Sequence, residues 1–160
     1  MRFIVCAVGH RMPAWVNAAF DDYVRRMPRE TPIDLIEVRP APRAAKAANA
    51  GQIAKGMATE GERIRAALPD RCTMVALDEK GKSLTSVEFA QRLERWQREA
   101  RDVAFVIGGA DGLDPELKHG ASLLLSLSSL TLPHQLVRVL LAEQLYRGAS
   151  LLRNHPYHRE

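Results

Sequence analysis

The last eight residues of the chain, RNHPYHRE (153–160), concentrate side chains that can stack on bases, bind phosphate and transfer protons. Tyr157 and His158 carry aromatic rings, and the guanidinium of Arg159 can bind phosphate through two parallel hydrogen bonds. Chain termini usually fray and carry few such groups. The tail is therefore a candidate part of a functional site.

Two pairs of polar residues with a spacing of four precede the tail. His134 and Arg138 share one face of a predicted helix, and Glu143 and Arg147 share another face, well around the helix from the first. Taken singly, Glu143 and Arg147 read as a surface ion pair worth roughly 0.3 kcal/mol. Likewise, His134 alone reads as a polar residue that follows Pro133 at a helix start. Their combination beside a strand end and before the tail instead indicates a site.

Apolar runs alternate with amphipathic segments from one end of the chain to the other, which predicts an α/β protein with a mainly parallel sheet flanked by helices. We expect a single domain over 1–160. The predicted strands cover 2–8, 33–38, 72–77, 103–107 and part of 122–132, and DEKGKS (78–83) reads as a turn. Predicted helices begin at Pro13, at Ile53, after the capping-box pair Thr85 and Glu88, within LDPEL (113–117), and at Pro133.

Ligands of open α/β sheets bind at the carboxyl ends of the strands. Three such ends stand out: Leu77 with Asp78, the pair Gly108-Gly109, and the stretch 127–134. Adjacent glycines allow a ligand to approach the backbone closely. For the glycine pair taken alone, however, a tight turn before DGLDP is the favoured explanation.

Common cofactor and metal signatures are missing from the sequence. It contains no G-x-G-x-x-G, no P-loop pattern and no G-x-S-x-G elbow. Its five histidines are scattered, and no cysteine pair or carboxylate cluster has the spacing of zinc ligands. We therefore expect no metal site, and a cofactor site of another design.

Composition predicts a cytoplasmic protein with no membrane segment. The first apolar run is too short for a signal peptide, and no run approaches the length that spans a bilayer. Cys6 and Cys72 lie in apolar runs and are expected to be buried free thiols in a reducing compartment. The net charge is +4, and residues 1–50 hold eight Lys and Arg against five Asp and Glu. This basic excess fits a solvated surface and a nucleic-acid face about equally well.

Several segments together closely resemble the SPOUT-class ribosomal RNA large-subunit methyltransferases, the family that methylates N3 of a pseudouridine in 23S rRNA. They are IGGADGL (107–113), LSLSSLTLPHQLVRVLLAEQLYRG (125–148) and NHPYHRE (154–160). The opening AVGHRMPAWVNAAFDDYVRRMP (7–28) and IDLIEV (33–38) are also similar to the family. The resemblance covers nearly the whole chain and is most specific in 127–147 and the tail.

This resemblance implies a fold, a cofactor and partners. The family fold is a parallel α/β sheet whose C-terminal part forms a trefoil knot, which no pattern rule would propose. The family acts as a homodimer, uses S-adenosylmethionine, and modifies the helix 69 stem-loop on assembled 70S ribosomes. By resemblance, the cofactor-binding residues are Leu77, Gly108, Gly109, Leu127, Ser128, Ser129, Leu130, Thr131 and Leu132.

The resemblance also implies catalytic roles. An imide nitrogen such as N3 must lose its proton to attack, so His134 is the candidate base and Glu143 its competitor. Arg138 and Arg147 are candidates for holding phosphate or stabilising the imide anion. We further expect Tyr157 and His158 to stack on the flipped base.

The remaining tail residue, Arg159, is expected to bind backbone phosphate. We hypothesise that the tail completes the active site, across the dimer interface. A non-catalytic RNA-binding protein that uses the basic N-terminal third is the alternative. A small-molecule methyltransferase is a weaker third interpretation, because it explains neither the basic excess nor the tail.

Overall fold

A computed structural model describes residues 1–43 and 47–158 of the chain. Two of the predicted catalytic side chains, those of His158 and Arg159, lie outside the described part; only the backbone of His158 belongs to it.

The order of elements confirms the predicted alternation of strands and helices. The strands are β1 Phe3–Val8, β2 Ile33–Val38, β3 Thr73–Ser83, β4 Val103–Ile107 and β5 Leu123–Ser126. The helices are α1 Ala14–Arg26, α2 Ala50–Ala67, α3 Ser86–Glu99, α4 Pro115–His119 and α5 His134–Leu152, followed by a 3-10 turn at Pro156–His158.

The strands form one parallel sheet in the order β2-β1-β4-β3-β5. Phe3 of β1 lies opposite Ile33 of β2 on one side and Val103 of β4 on the other, and β3 pairs in parallel with both β4 and β5. This confirms the α/β class with a parallel sheet. The predicted trefoil knot concerns how the chain threads through itself and stays a prediction.

Both faces of the sheet are buried, as parallel sheets require. Phe3, Val5 and Ala7 of β1 face a core that includes α1, α3 and α5. The alternate residues Cys6 and Val8 face a second core built with α2 and α4. The central strands β1 and β4 therefore read as continuous apolar runs in the sequence, because their side chains are covered on both sides of the sheet.

An aromatic group centred on Phe105 of β4 fills the larger core. The Phe105 ring lies 6.2 Å from Phe3, 6.1 Å from Phe89 and 5.8 Å from Trp96, measured between ring centroids. The angles of 54–78° between the ring planes are of the tilted or edge-to-face kind that aromatic pairs prefer. Strand β4 is thereby held against α3.

The predicted turn at 78–83 is wrong, because β3 continues to Ser83. Leu77 and Lys82 both pair with Leu125 of β5, so the residues between them bulge out of the ladder. A Cβ at Gly81 would lie 2.7 Å from the backbone of β5, so this close pairing requires glycine. The polar, glycine-containing sequence suits a bulge as well as a turn, and only pairing with β5 distinguishes the two.

Helix α2 begins at Ala50, three residues before the predicted start. Asn49 caps it by accepting a hydrogen bond from the Gln52 amide at 2.9 Å, and the Gln52 side chain accepts from the Asn49 amide at 3.0 Å. This is a capping box whose Asn and Gln replace the more familiar Ser/Thr and Glu. The box predicted for α3, between Thr85 and Glu88, is confirmed.

The prediction that both cysteines are buried free thiols is confirmed for Cys6 but not for Cys72. Both thiols are free, but only Cys6 is buried, while Cys72 is half-buried. Burial raises the pKa of the Cys6 thiol to about 12, which keeps it protonated and unreactive.

Within the described ranges, no helix is both long and apolar enough to cross a membrane.

Truncating the central aromatic ring tests this description of the core. We expect Phe105→Ala to lower the free energy of unfolding by about 3–5 kcal/mol, because it opens a cavity among three other rings. Urea denaturation followed by circular dichroism measures this change. Trp15→Ala is the matched control, since Trp15 is 57% exposed and its loss should change stability by no more than about 0.5 kcal/mol. Equal effects of the two variants would contradict the assignment of Phe105 to the core.

Candidate active site

A cavity of about 680 Å³ opens at the carboxyl ends of β3, β4 and β5. We call it the strand-end cavity; it is lined by Ile107 and Ser126 at the ends of β4 and β5, and by Leu77 next to the irregularity in β3. Its size suits a cofactor or small ligand. The structure brings together at this cavity all but one of the predicted cofactor-binding residues: Leu77, Gly108, Gly109, Leu127, Ser128, Leu130, Thr131 and Leu132. Ser129, the exception, is not part of its lining.

Apolar side chains form much of the cavity wall. Leu77, Leu127, Leu132 and Val137 surround it and are only half-buried. Leu130 is 73% exposed, unusually so for a leucine. Such exposed apolar surface beside a cavity is typical of a site that a flat apolar group would cover.

Hydrogen bonds hold the loop that follows β5 in place. The Ser126 hydroxyl donates to the Ser128 carbonyl at 2.8 Å, and the Ser128 hydroxyl accepts from the Leu130 amide at 2.9 Å. The Thr131 hydroxyl donates to Glu79 at 3.2 Å, which ties this loop to the β3 bulge. The serines and threonine that interrupt this apolar stretch therefore order one wall of the cavity.

The β3 bulge contributes polar groups, of which the sequence analysis singled out Asp78 but not Glu79 or Lys80. Asp78, Glu79 and Lys80 line the cavity, together with Lys118 of α4. Asp78 accepts a hydrogen bond from Lys118 at 2.9 Å and another from the Lys80 amide at 2.8 Å. Burial acts to raise the pKa of Asp78, but these hydrogen bonds outweigh it and hold the pKa below its ordinary value. The interpretation of 78–83 as a turn did not predict Glu79 and Lys80 at the site, because a bulge depends on a partner strand.

The glycines after β4 make a tight turn at the cavity wall. A Cβ at Gly108 would lie 2.6 Å from the Gly112 backbone, and Gly112 has a positive φ of 87°. The Gly112 amide donates to the Gly109 carbonyl at 3.1 Å. The two interpretations of the glycine pair are thus compatible, because the turn itself forms part of the cavity.

His134 stands at the first position of α5 and also lines the strand-end cavity. Burial, followed by the positive charge of Arg138 one turn further along, lowers the pKa of the imidazole. A neutral imidazole offers a nitrogen lone pair and can accept a proton. The structure therefore places His134 where a general base would be useful and favours its neutral form.

Arg138 lies inside the fold rather than facing solvent. Its side chain is 1% exposed, and its Nη1 donates to Glu37 of β2 at 2.8 Å. Its Nε and Nη2 atoms are buried without a hydrogen-bond partner among the described residues. In this position the guanidinium charge acts on His134 through the protein interior.

The predicted competitor base, Glu143, lies in a different cluster. It accepts hydrogen bonds from Arg147 at 2.6 and 2.9 Å, from Gln144 at 2.7 Å and from the Tyr157 hydroxyl at 3.1 Å. Only 14% of the Glu143 side chain and 30% of the Arg147 side chain are exposed, so the pair is more than a surface ion pair. We call Glu143, Arg147 and Tyr157 the tail cluster.

Tyr157 anchors the C-terminal tail to α5. Its ring lies 4.6 Å from the Tyr146 ring, and the Arg147 guanidinium lies 5.2 Å from the Tyr157 ring. Burial, followed by hydrogen bonds and charges from Tyr23 and Glu143, raises the pKa of Tyr157 well above its ordinary value. Tyr157 is therefore a hydrogen-bond donor here, and its ring is already engaged in stacking.

The tail cluster and His134 lie on opposite faces of α5. Nine positions separate His134 from Glu143, and at about 100° per residue this rotates the side chain by half a turn. As far as the chain is described, no tail residue lines the strand-end cavity. Within one chain, His134 therefore lies at the strand-end cavity, while Glu143, Arg147 and Tyr157 lie apart from it in the tail cluster. Among the described residues, no three His, Cys, Asp or Glu side chains come together as a metal site.

Comparison with known proteins identifies relatives over the full length of the chain. The model of a family described as "Predicted SPOUT methyltransferase" matches residues 1–158. Proteins named "Ribosomal RNA large subunit methyltransferase H" from Burkholderia vietnamiensis and Ralstonia pickettii are each 55% identical, over 160 and 159 residues. The protein of the same name from Burkholderia thailandensis is 56% identical over 159 residues. Each match covers 99% of both chains.

Solved structures share the fold at low sequence identity. A methylase family protein from Haemophilus influenzae is 14% identical, with a TM-score of 0.52, covering 99% of this chain and 70% of that one. A methylase family protein from Neisseria gonorrhoeae is also 14% identical, with a TM-score of 0.50, covering 91% and 80% of the two chains. At this identity the likeness concerns the fold alone.

The influence of Arg138 on His134 can be measured by NMR titration of the imidazole. We expect Arg138→Met to raise the pKa of His134, because a positive charge is removed, yet to leave it below the ordinary value, because the burial persists. Arg138→Lys is the matched control, since it keeps a positive charge beside Glu37 and should keep the pKa of His134 close to that of the wild type. An identical pKa in the wild type and the Met variant would contradict the coupling.

Proposed function

Because the chain belongs to the SPOUT methyltransferase family, we propose that it transfers a methyl group from S-adenosylmethionine to N3 of a pseudouridine in helix 69 of 23S rRNA, acting on assembled 70S ribosomes in the cytoplasm. The single observation that carries the proposal is full-length similarity, at 55% identity, to proteins named as ribosomal RNA large-subunit methyltransferases. Net charge supports an RNA substrate, because the chain carries +4 with its basic excess in the first fifty residues. The choice of pseudouridine, helix 69 and the ribosome rests on the resemblance of 107–113, 125–148 and the tail.

The strand-end cavity fits S-adenosylmethionine. Leu77, Leu127 and Leu132 offer apolar walls for an adenine ring, and the exposed Leu130 would be covered by it. Gly108 and Gly109 contribute backbone groups to the cavity wall, where they can hydrogen-bond to the ligand. When bound, the cofactor supplies a methyl group that its sulfonium already activates, so the protein has mainly to position the reactants.

His134 is the residue that we assign to proton transfer. The N3 nitrogen of a pseudouridine carries a proton that must leave before its electron pair can attack carbon. The imidazole lines the cavity, and its lowered pKa keeps it neutral and able to accept that proton. Glu143 is disfavoured as the base within the same chain, because it lies on the opposite face of α5 and already accepts four hydrogen bonds.

A second copy of the chain would bring the tail cluster to an active site. The face of α5 that carries Glu143 and Arg147 also carries Leu136, Leu140 and Leu151, spaced at positions that align along the helix. These leucines are only half-buried, which leaves an apolar stripe for contact with a partner helix. We propose that the protein is a homodimer in which the tail of each chain, including Tyr157, His158 and Arg159, completes the site of the other.

Transfer of labelled methyl groups tests the proposed activity. With unmethylated 70S ribosomes and free 23S rRNA in parallel, we expect label at one pseudouridine, on ribosomes only, after digestion and mapping of the modified nucleoside. The absence of label from both substrates, together with failure to bind S-adenosylmethionine, would overturn the proposal in favour of a non-catalytic RNA-binding protein.

The same assay tests His134. We expect His134→Ala to lower kcat by about 10²–10⁴, the usual contribution of a general base. His119→Ala is the matched control, because His119 is exposed and does not line the cavity. A His134→Ala enzyme as fast as the control would remove His134 from the role of base.

Complementation between two inactive chains tests the position of the tail. A chain lacking 154–160 and a full-length His134→Ala chain should each be inactive by themselves. When they are co-expressed, mixed dimers should recover part of the transfer activity, because the intact His134 of one chain meets the intact tail of the other. If each chain is inactive and no activity returns in purified mixed dimers, the tail acts within its own chain. If the shortened chain works at the full rate, the tail has no part in the site.

A further inference from the structure

A second cavity, of about 410 Å³, lies between the ends of β1 and β2 and the beginning of α2. We call it the α2 cavity. Gly9 follows β1, Pro40 and Ala41 follow β2, and Ile53 and Gly56 of α2 close the opposite side. It is concave and contains both apolar and polar groups, as ligand sites do.

Hydrogen bonds between α2 and the loop after β2 hold the walls of the α2 cavity in place. Glu60 of α2 accepts a hydrogen bond from the Ala41 amide at 3.0 Å. Arg63, one turn further along α2, donates to the carbonyls of Arg39 and Pro40, both at 2.9 Å. The loop after β2 is thus fastened to α2 from two positions, and the cavity is largely preformed.

The α2 cavity shares a wall with the strand-end cavity. Gly109, Ala110, Asp111 and His134 line both of them. A Cβ at Gly109 would lie 3.1 Å from Val8, a residue of the α2 cavity, so a larger side chain at position 109 would project towards it. The two cavities are therefore separated by the loop residues 109–111 and the His134 imidazole.

The imidazole of His134 is turned towards the α2 cavity. A Cβ built on Gly9 would lie only 3.9 Å from the His134 Nε2 atom, and Gly9 lines the α2 cavity alone. Gly9 has a positive φ of 123°, and a side chain there would also meet Met12 at 2.9 Å. The glycine after β1 thus keeps open the space in front of the ring nitrogen.

We propose that the α2 cavity is the pocket for the base that receives the methyl group, a uracil-type ring turned out of its RNA. This inference rests on the proposed function, since it assigns to the acceptor a place beside the cofactor. A methyl donor in the strand-end cavity and an acceptor in the α2 cavity meet at the shared wall, and His134 stands at that junction to take the proton from N3.

The groups around the α2 cavity match the edge of a uracil-type ring. That edge presents two carbonyl oxygens on either side of one N–H, so it needs a central acceptor between two donors. A neutral His134 is the acceptor. Gln52 and Arg43 are available as donors; the Gln52 carbonyl oxygen is occupied by the Asn49 amide, which leaves its amide nitrogen to donate. Pro40 and Ile53 supply apolar surface for the faces of the ring.

A charged pair stands beside the same cavity. Arg43 lies 3.4 Å from Asp111, and its side chain is 64% exposed. So long and exposed a contact is weak. The guanidinium can therefore leave Asp111 and donate to a carbonyl oxygen of the base.

Filling the α2 cavity separates binding of the base from binding of the cofactor. Gly56 lines only the α2 cavity, and a Cβ there would meet the Ala41 Cβ at an ordinary 3.7 Å. Gly56→Leu puts a branched side chain into the pocket, while Gly56→Ala is the matched control that adds one methyl group and strengthens the helix. The measurements are the Kd of S-adenosylmethionine by calorimetry and single-turnover methyl transfer to unmethylated ribosomes.

We expect Gly56→Leu to bind the cofactor with the wild-type Kd and to lose methyl transfer by at least about a hundredfold, the scale expected when a reacting group is misplaced. Gly56→Ala should retain both properties. Equal transfer rates in the Leu and Ala variants would overturn the assignment of the pocket. A wild-type protein that transfers no methyl group to either RNA substrate would instead refute the proposed function, so the two failures are distinguishable.

A second pair of variants, at Ile53, tests the pocket if the Gly56→Leu protein does not fold. If Gly56→Leu binds no cofactor, Ile53→Trp replaces it and Ile53→Leu becomes its control, because Ile53 also lines only the α2 cavity. Loss of transfer with the cofactor Kd unchanged supports the pocket. Transfer at the control rate overturns it, as does loss of cofactor binding in Ile53→Trp as well, since the two cavities would then not be separate sites.

Discussion

The packing of helix α5 against the parallel sheet decides where the proposed catalytic groups of that helix lie. Leu141, Leu145 and Ala149 bury one face of this helix against the core that covers β1 and β4. Once that face is fixed, helical geometry sets the direction of all other side chains. Close contact with α3 adds to the constraint, because a Cβ at Gly148 would lie 2.5 Å from the Leu93 side chain. Rotation of α5 about its axis would expose apolar surface and collide with α3.

A consequence of this packing is a buried cation beneath the candidate base. Removing an ion from water costs several kcal/mol, and a single hydrogen-bonded partner offsets only part of that cost. Arg138 has one carboxylate partner, Glu37, and two unpaired nitrogen atoms among the described residues. Apolar residues would fill the same space at lower cost. The charge has a chemical use, however, because it helps to keep His134 neutral.

The sheet contributes the other half of the arrangement through its strand ends. Parallel strands bring their carboxyl ends to one edge, where loops are free of the ladder. The β3 bulge projects Asp78 over that edge, the turn at Gly108 closes one wall, and α5 begins there with His134. Two cavities consequently meet at one short backbone segment. A fold with this edge can hold a donor and an acceptor side by side without a large change of shape.

Much of this could be read from the sequence alone. The runs that became β1 and β4 are apolar on both faces, so their position and type follow from burial, and Pro133 marks the start of α5 within one residue. Eight of the nine residues expected at the cofactor site do line the strand-end cavity. The four-residue spacing also predicted that the pair His134 and Arg138 and the pair at 143 and 147 lie on different faces of one helix.

The remaining features depend on contacts between segments distant in the chain. Whether 78–83 is a turn or a bulge depends on β5, more than forty residues later, since a bulge exists only relative to a paired strand. The burial of Arg138 depends on Glu37, one hundred and one residues away, and the α2 cavity on hydrogen bonds between α2 and the loop after β2. Local pattern determined which segments are strands and helices and which side chains share a face. Only the tertiary structure decided which charges are buried and which cavities adjoin, because burial and proximity arise from packing between elements and leave no periodic signal in either one.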